Sequence, residues 1–137
     1  MYPASLTTNE VKNAAGTEEE FLESATYASK REWSKSGAAP NAPHKLSVSH
    51  TTIGQGLTQR RRSLVRFDKV VDGASGSPVS LSAYCVVDLP IGDSSDTTEF
   101  ANIVANLVST LASTGSDTTI KYDGSGYGAL SLIKGEL

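Results

Sequence analysis

Polar and apolar side chains alternate with a period of two through three successive segments in the middle of this chain. In HKLSVSHTT, Leu46 and Val48 alternate with Lys45, Ser47, Ser49 and Thr51, as in a strand with one dry and one wet face. In RRSLVRFDKV, Val65 and Phe67 share one side and Arg62, Arg66 and Asp68 the other, although Leu64 falls among the polar set. In VSLSAYCVVDLP, Leu81, Ala83, Cys85, Val87 and Leu89 oppose Ser82, Tyr84, Val86 and Asp88. The glycine-bearing IGQGLTQ and the turn-rich DGASGSP, residues 72–78, connect them. The pattern predicts an antiparallel meander over 44–90 with one apolar and one polar face.

The period then changes. Phe100, Ile103, Val104, Leu107, Val108 and Leu111 recur at helical spacing, and Asp96 followed by Glu99 resembles a capping box, so an amphipathic helix is predicted over 96–114. Gly115 is a plausible stop, and the apolar stripe should lie on the apolar face of the sheet. Residues 1–40 read as an N-terminal hairpin and edge strand, drawn from ASLTTNEV, EEEFLESATYA and SKREWSKSG, before the link AAPNAP. The arm over 115–137 fits a hairpin, a loose extension or a broken helix. The fold class is α+β, with hairpin and meander in one sheet covered on one face by the helix.

Size bears on assembly. Five or six strands make a sheet about 24 to 29 Å wide at roughly 4.8 Å per strand, whereas one helix covers only about 10 to 12 Å. A symmetric partner that donates a second helix to a continuous sheet solves the mismatch, so an obligate homodimer is expected.

The composition supports that expectation. A 137-residue chain with 38% hydrophobic residues forms one domain with a thin core. The sequence contains no leader-like apolar run and no stretch long enough to span a bilayer, so neither secretion nor membrane insertion is expected. Cys85 is the sole cysteine, which excludes an internal disulfide or a multi-cysteine metal site and suits a small core residue.

Charge is unevenly spread beneath the net −3. Residues 1–29 carry one lysine against five glutamates, residues 30–70 nine basic residues against two acidic ones, and the remainder two lysines against eight acidic residues. Four of the five arginines, Arg60, Arg61, Arg62 and Arg66, stand in QRRRSLVRF. A basic segment inside an acidic chain suits a polyanionic partner on one face only.

No catalytic set emerges. His44 lies in the Pro-rich link and His50 on the apolar side of its strand, and no nucleophile elbow, paired-histidine helix or phosphate loop is present. GSGYG opens no clear helix and reads as a turn. Neither a cofactor nor a small-molecule substrate is expected. On the polar face of the meander, Lys45, Ser47, Ser49, Thr51, Arg62, Arg66 and Tyr84 share one surface. Such a face is either the solvated side of a sheet or a surface for phosphates and unpaired bases. Arginines pair with phosphates, hydroxyls hydrogen-bond, and a tyrosine ring stacks on an unpaired base.

In their order, REWSKS, HKLSVSHTT, RRRSLVRFDKV, SAYCVVDLP and DTTEFANIVANLVSTLAS resemble the coat proteins of single-stranded RNA bacteriophages, the leviviral coat family. The resemblance covers roughly residues 28–114. It implies a homodimer with a continuous sheet and interlocked helices, built into a quasi-equivalent icosahedral T=3 shell around genomic single-stranded RNA. Such a chain would reside in the virion after assembly in the bacterial host cytoplasm. The RNA-facing set it implies is Lys45, Ser47, Ser49, Thr51, Arg62, Arg66, Asp68, Tyr84 and Val86. Tyr84 matches a base-stacking tyrosine and Arg66 a basic position beside it, and an operator hairpin is a further ligand of that face. Val86 stands where a polar residue is common and Thr51 where some members are basic. The resemblance therefore carries general RNA packaging further than sequence-specific hairpin recognition. The alternative is a non-viral homodimeric RNA-binding or adaptor module, and an enzyme is a distant third.

Overall fold

The computed structural model describes residues 1–93, 97–116 and 118–136. The chain forms two compact units, residues 1–11 with 19–94, and residues 12–18 with 95–137.

The first unit is an antiparallel sheet whose six strands lie in chain order: β1 (Ser5–Leu6), β2 (Phe21–Thr26), β3 (Lys30–Lys35), β4 (His44–Ile53), β5 (Arg60–Asp72) and β6 (Pro78–Pro90). The meander is thus present, and β5 pairs with β6 along all thirteen residues of each. The strand expected in ASLTTNEV shrinks to the two residues of β1. Just beyond it, the Thr8 amide and hydroxyl both donate to the Glu10 carboxylate and Asn9 takes a positive φ of 68°. Such local side-chain bonding competes with a strand ladder.

The two long hairpins differ in their turns. Between β4 and β5 the chain passes Gly54, whose φ of 80° suits glycine, and a single 3-10 turn at Gly56–Thr58. There the Thr58 hydroxyl donates to the Gln55 carbonyl at 2.9 Å. Between β5 and β6 the Gly73 amide donates to the Ser77 carbonyl at 2.8 Å and closes a short loop.

The core lies on one side of the sheet, where Leu6, Phe21, Trp33, Leu46 and Val48 are buried and Val11, Val65 and Phe67 pack against them. Trp33 is fully buried, and its indole N–H donates to the Pro3 carbonyl at 3.1 Å. Its polar atom is therefore satisfied where it would otherwise carry a desolvation cost. His44 corrects an expectation: it opens β4 rather than lying in the link, because the ladder extends far enough to pair it with Lys69. Its ring meets Phe21 edge-on at 5.0 Å. Part of the acidic N-terminal segment also finds its use there, since Glu19 pairs with Lys35 and Glu23 lies 3.8 Å from Arg31.

The core is lopsided. At β6 the same apolar side is open, with Val79, Leu81 and Ala83 exposed. Among the described residues no strand pairs with the outer edge of β6.

The second unit holds α1 (Thr97–Ala112) and α2 (Tyr127–Lys134). The expected cap residue Asp96 lies outside the described residues, while Glu99 sits in the first turn of α1. Helix α1 ends at Ala112, ahead of Gly115, and the Lys121 amide donates to the Ala112 carbonyl at 2.7 Å. The arm beyond it is thus partly helical, and α2 closes on Gly135 in the left-handed conformation. Gly128 lets the two helices approach, because a Cβ there would collide with the Thr110 carbonyl. Ile103, Leu107 and Val108 of the α1 stripe are exposed. No helix among the described residues is long and apolar enough to cross a membrane.

Candidate nucleic-acid interface

The strand ladder sets the polar face out in rows, because residues directly opposite across a ladder point to the same side. Lys45, Asp68 and Ser82 form one row, and Ser47, Arg66 and Tyr84 the next. Ser49, Leu64 and Val86 follow, then Thr51, Arg62 and Asp88, and lastly Ile53, Arg60 and Pro90. All nine residues of the expected RNA-facing set therefore share one face.

The register adds members that the sequence pattern did not single out. Arg60 joins Arg62 on the polar side, whereas Arg61 sits opposite Thr52 and Leu89 on the other side. From β3, Lys30 and Glu32 extend the face beside Ser49 and Ser47. The alternation around the buried Trp33 in KREWSK carried that signal. A shallow depression of about 340 Å³ opens here, lined among others by Lys30, Lys45, Ser47, Ser49, Leu64 and Arg66.

The electrostatics are more balanced than a run of arginines suggests. Asp88 Oδ1 accepts from Arg60 Nε at 2.8 Å, and its Oδ2 from Arg62 Nη2 at 3.1 Å. Asp68 holds Arg66 through both Nε and Nη2, and it also accepts from the Ser82 hydroxyl. Bonding to Arg66 and then to Ser82 lowers the Asp68 pKa, and bonding to Arg60 and then Arg62 lowers that of Asp88. The Arg66 pKa is raised by its bond to Asp68. Lys30 pairs with Glu32, so among the described residues Lys45 stands outside these pairs.

Stacking groups are open. Tyr84 is 69% exposed in the middle of β6, and Val86 beside it is exposed too. His50 lies on the opposite face, as expected, with its Nδ1 2.8 Å from the Ser63 hydroxyl. Among the described residues no group of three or more His, Cys, Asp or Glu side chains is placed to hold a metal ion.

No protein-family model matches the sequence. No curated protein sequence matches it either. Solved structures do. The coat protein of bacteriophage EMS014 superposes with a TM-score of 0.69 at 11% identity, over 87% of each chain. A virus-like particle of Beihai levi-like virus 21 matches with a TM-score of 0.57 at 15% identity, over 98% of this chain and 95% of that one.

The fold is that of a levi-like phage coat protein. At such low identity the likeness extends to the fold alone. Within this coat-protein fold the surface combines guanidinium groups, hydroxyls and an exposed phenol ring with a small apolar strip at Leu64 and Val86. Those are the groups that bind a flexible polyanion with unpaired bases. What sequence reasoning missed was the clasp of Asp88 on two arginines, since Asp88 lies 26 and 28 positions away from them along the chain.

Proposed function

We propose that this chain is a capsid protein that dimerises, assembles into an icosahedral shell and packages single-stranded RNA against the polar face of its sheet. The observation that carries the reading is the division of one sheet into a polar face bearing Arg62, Arg66 and Tyr84 and an apolar face left open at Val79 and Leu81. A partner subunit paired along the free edge of β6 would extend the sheet to twelve strands and cover the open apolar positions. The residues proposed to face the RNA are Lys45, Ser47, Ser49, Thr51, Arg62, Arg66, Asp68, Tyr84 and Val86. Binding of a particular operator hairpin is a narrower form of the same proposal. The proposed setting is a virion assembled in a bacterial cytoplasm.

Negative-stain microscopy of protein purified after bacterial expression tests the reading. Uniform hollow or filled shells are expected. Isolated small particles would overturn the shell and favour a free dimeric RNA-binding module.

A further inference from the structure

All three arginines of the polar face are held by carboxylates, and the sheet gains little from holding them. Arg60, Arg62 and Arg66 expose about half of their side chains, and Asp68 and Asp88 expose about a third or more. Ion pairs this wet contribute little to stability. Their effect on a polyanionic ligand is larger. A phosphate approaches guanidinium through the same N–H edges that a carboxylate takes. Here Asp68 occupies Nε and Nη2 of Arg66, and Asp88 occupies Nε of Arg60 and Nη2 of Arg62. A phosphate must displace the carboxylate or settle for the remaining edge, and it meets the carboxylate's own charge in either case.

The arrangement along the strands sharpens the point. Arg62 and Arg66 stand four residues apart on β5, about 14 Å at roughly 3.4 Å per residue. Between them lie Leu64 and Val86, and Tyr84 stands directly across from Arg66. Tyr84 and Val86 are open to solvent and Leu64 is half-buried, whereas the charged groups on either side are muted.

We propose that Asp68 and Asp88 restrain the grip of this face on RNA phosphates, so that retention depends on unpaired bases at the Tyr84–Val86–Leu64 strip rather than on charge alone. This rests on the RNA reading above and deepens it. A face restrained in this way binds RNA reversibly during assembly, and carboxylate-to-amide replacement turns it into a general polyanion surface.

The test compares the full-length parent with Asp68→Asn, Asp88→Asn, the double variant and Asp72→Asn, using a fixed-length oligouridylate over a series of salt concentrations. Asp72 lies on β5 opposite Pro78 and clasps no arginine among the described residues. At low salt each clasp variant binds about threefold tighter and the double variant about tenfold, the size expected for one unit charge near a phosphate in water. The slope of log affinity against log salt steepens by about 0.7 for each phosphate newly engaged, and Asp72→Asn leaves the slope unchanged. If the parent binds but the double variant binds no tighter with the same slope, or if Asp72→Asn matches it, the restraint is overturned. If neither the parent nor any variant binds, the RNA reading itself fails.

Discussion

Arg66 and Tyr84 stand directly opposite each other across the β5–β6 ladder, with Ser47 on the far side of Arg66. The ladder brings together a guanidinium with an exposed phenol ring and a hydroxyl that lie 18 and 19 positions from it in sequence. Neither the arginine nor the tyrosine is needed by the core, which lies on the other side of the sheet. Their juxtaposition gives the face its proposed chemistry, in which phosphate pairing and base stacking act on neighbouring parts of one nucleotide.

Tyr84→Ala should weaken single-stranded RNA binding by at least about fivefold, the lower end of what one base–aromatic stack contributes. Arg66→Ala should weaken it too and make it less sensitive to salt. Filter binding at matched salt measures both, and light scattering should find the mass of each variant unchanged.

Trp33 anchors the core, buried between β2 and β4 with its N–H on Pro3. Trp33→Ala should cost about 3 to 5 kcal/mol. Urea unfolding followed by far-ultraviolet circular dichroism reads this as a lowered midpoint.

His44 makes stability depend on pH. Burial lowers its pKa, outweighing the opposing effect of Glu19, whose carboxylate lies 3.6 Å from Nδ1, while Lys69 and Lys35 also disfavour the charged ring. The unfolded chain therefore takes up the proton first. Stability is full above the ordinary histidine value of about 6.5 and falls as pH drops from there through the lower folded value. Glu19, whose pKa is lowered chiefly by its bond to Lys35, adds a loss only at more acidic pH. Urea midpoints between about pH 7.5 and 5 should decline in the parent and flatten in His44→Phe, which keeps an aromatic ring against Phe21.

Leu81 is 51% exposed on the apolar side of β6. In the proposed dimer that position is covered, so Leu81→Glu should shift the protein toward monomer at micromolar concentration. Sedimentation velocity checks this, and an unchanged dimer would remove Leu81 from the interface.

The three long strands were legible because their period-two pattern extends over ten to thirteen residues with few exceptions. Leu64, an apolar residue among the polar set of β5, does face the polar side, and the structure pairs it with Val86, another apolar residue there. Much less was visible at the ends. The strand β1 is too short to carry a pattern, and its neighbours Thr8 and Glu10 bond locally. Helix α2 is short and follows a glycine-rich stretch, so its eight residues give little periodicity. The candidate face followed from alternation, but its charge balance did not. Net charge counted along the chain places nine basic residues in one segment. The fold sends Arg31 and Arg61 to the opposite side and matches the arginines left on the polar face with Asp68 and Asp88.

The most direct test of the central claim is the nucleic acid inside the assembled protein. Particles isolated by density gradient after bacterial expression should be treated with ribonuclease, washed and extracted. The account predicts intact single-stranded RNA, protected in proportion to the protein recovered. Protein that yields no protected RNA, or that sediments only as monomer or dimer, would contradict it.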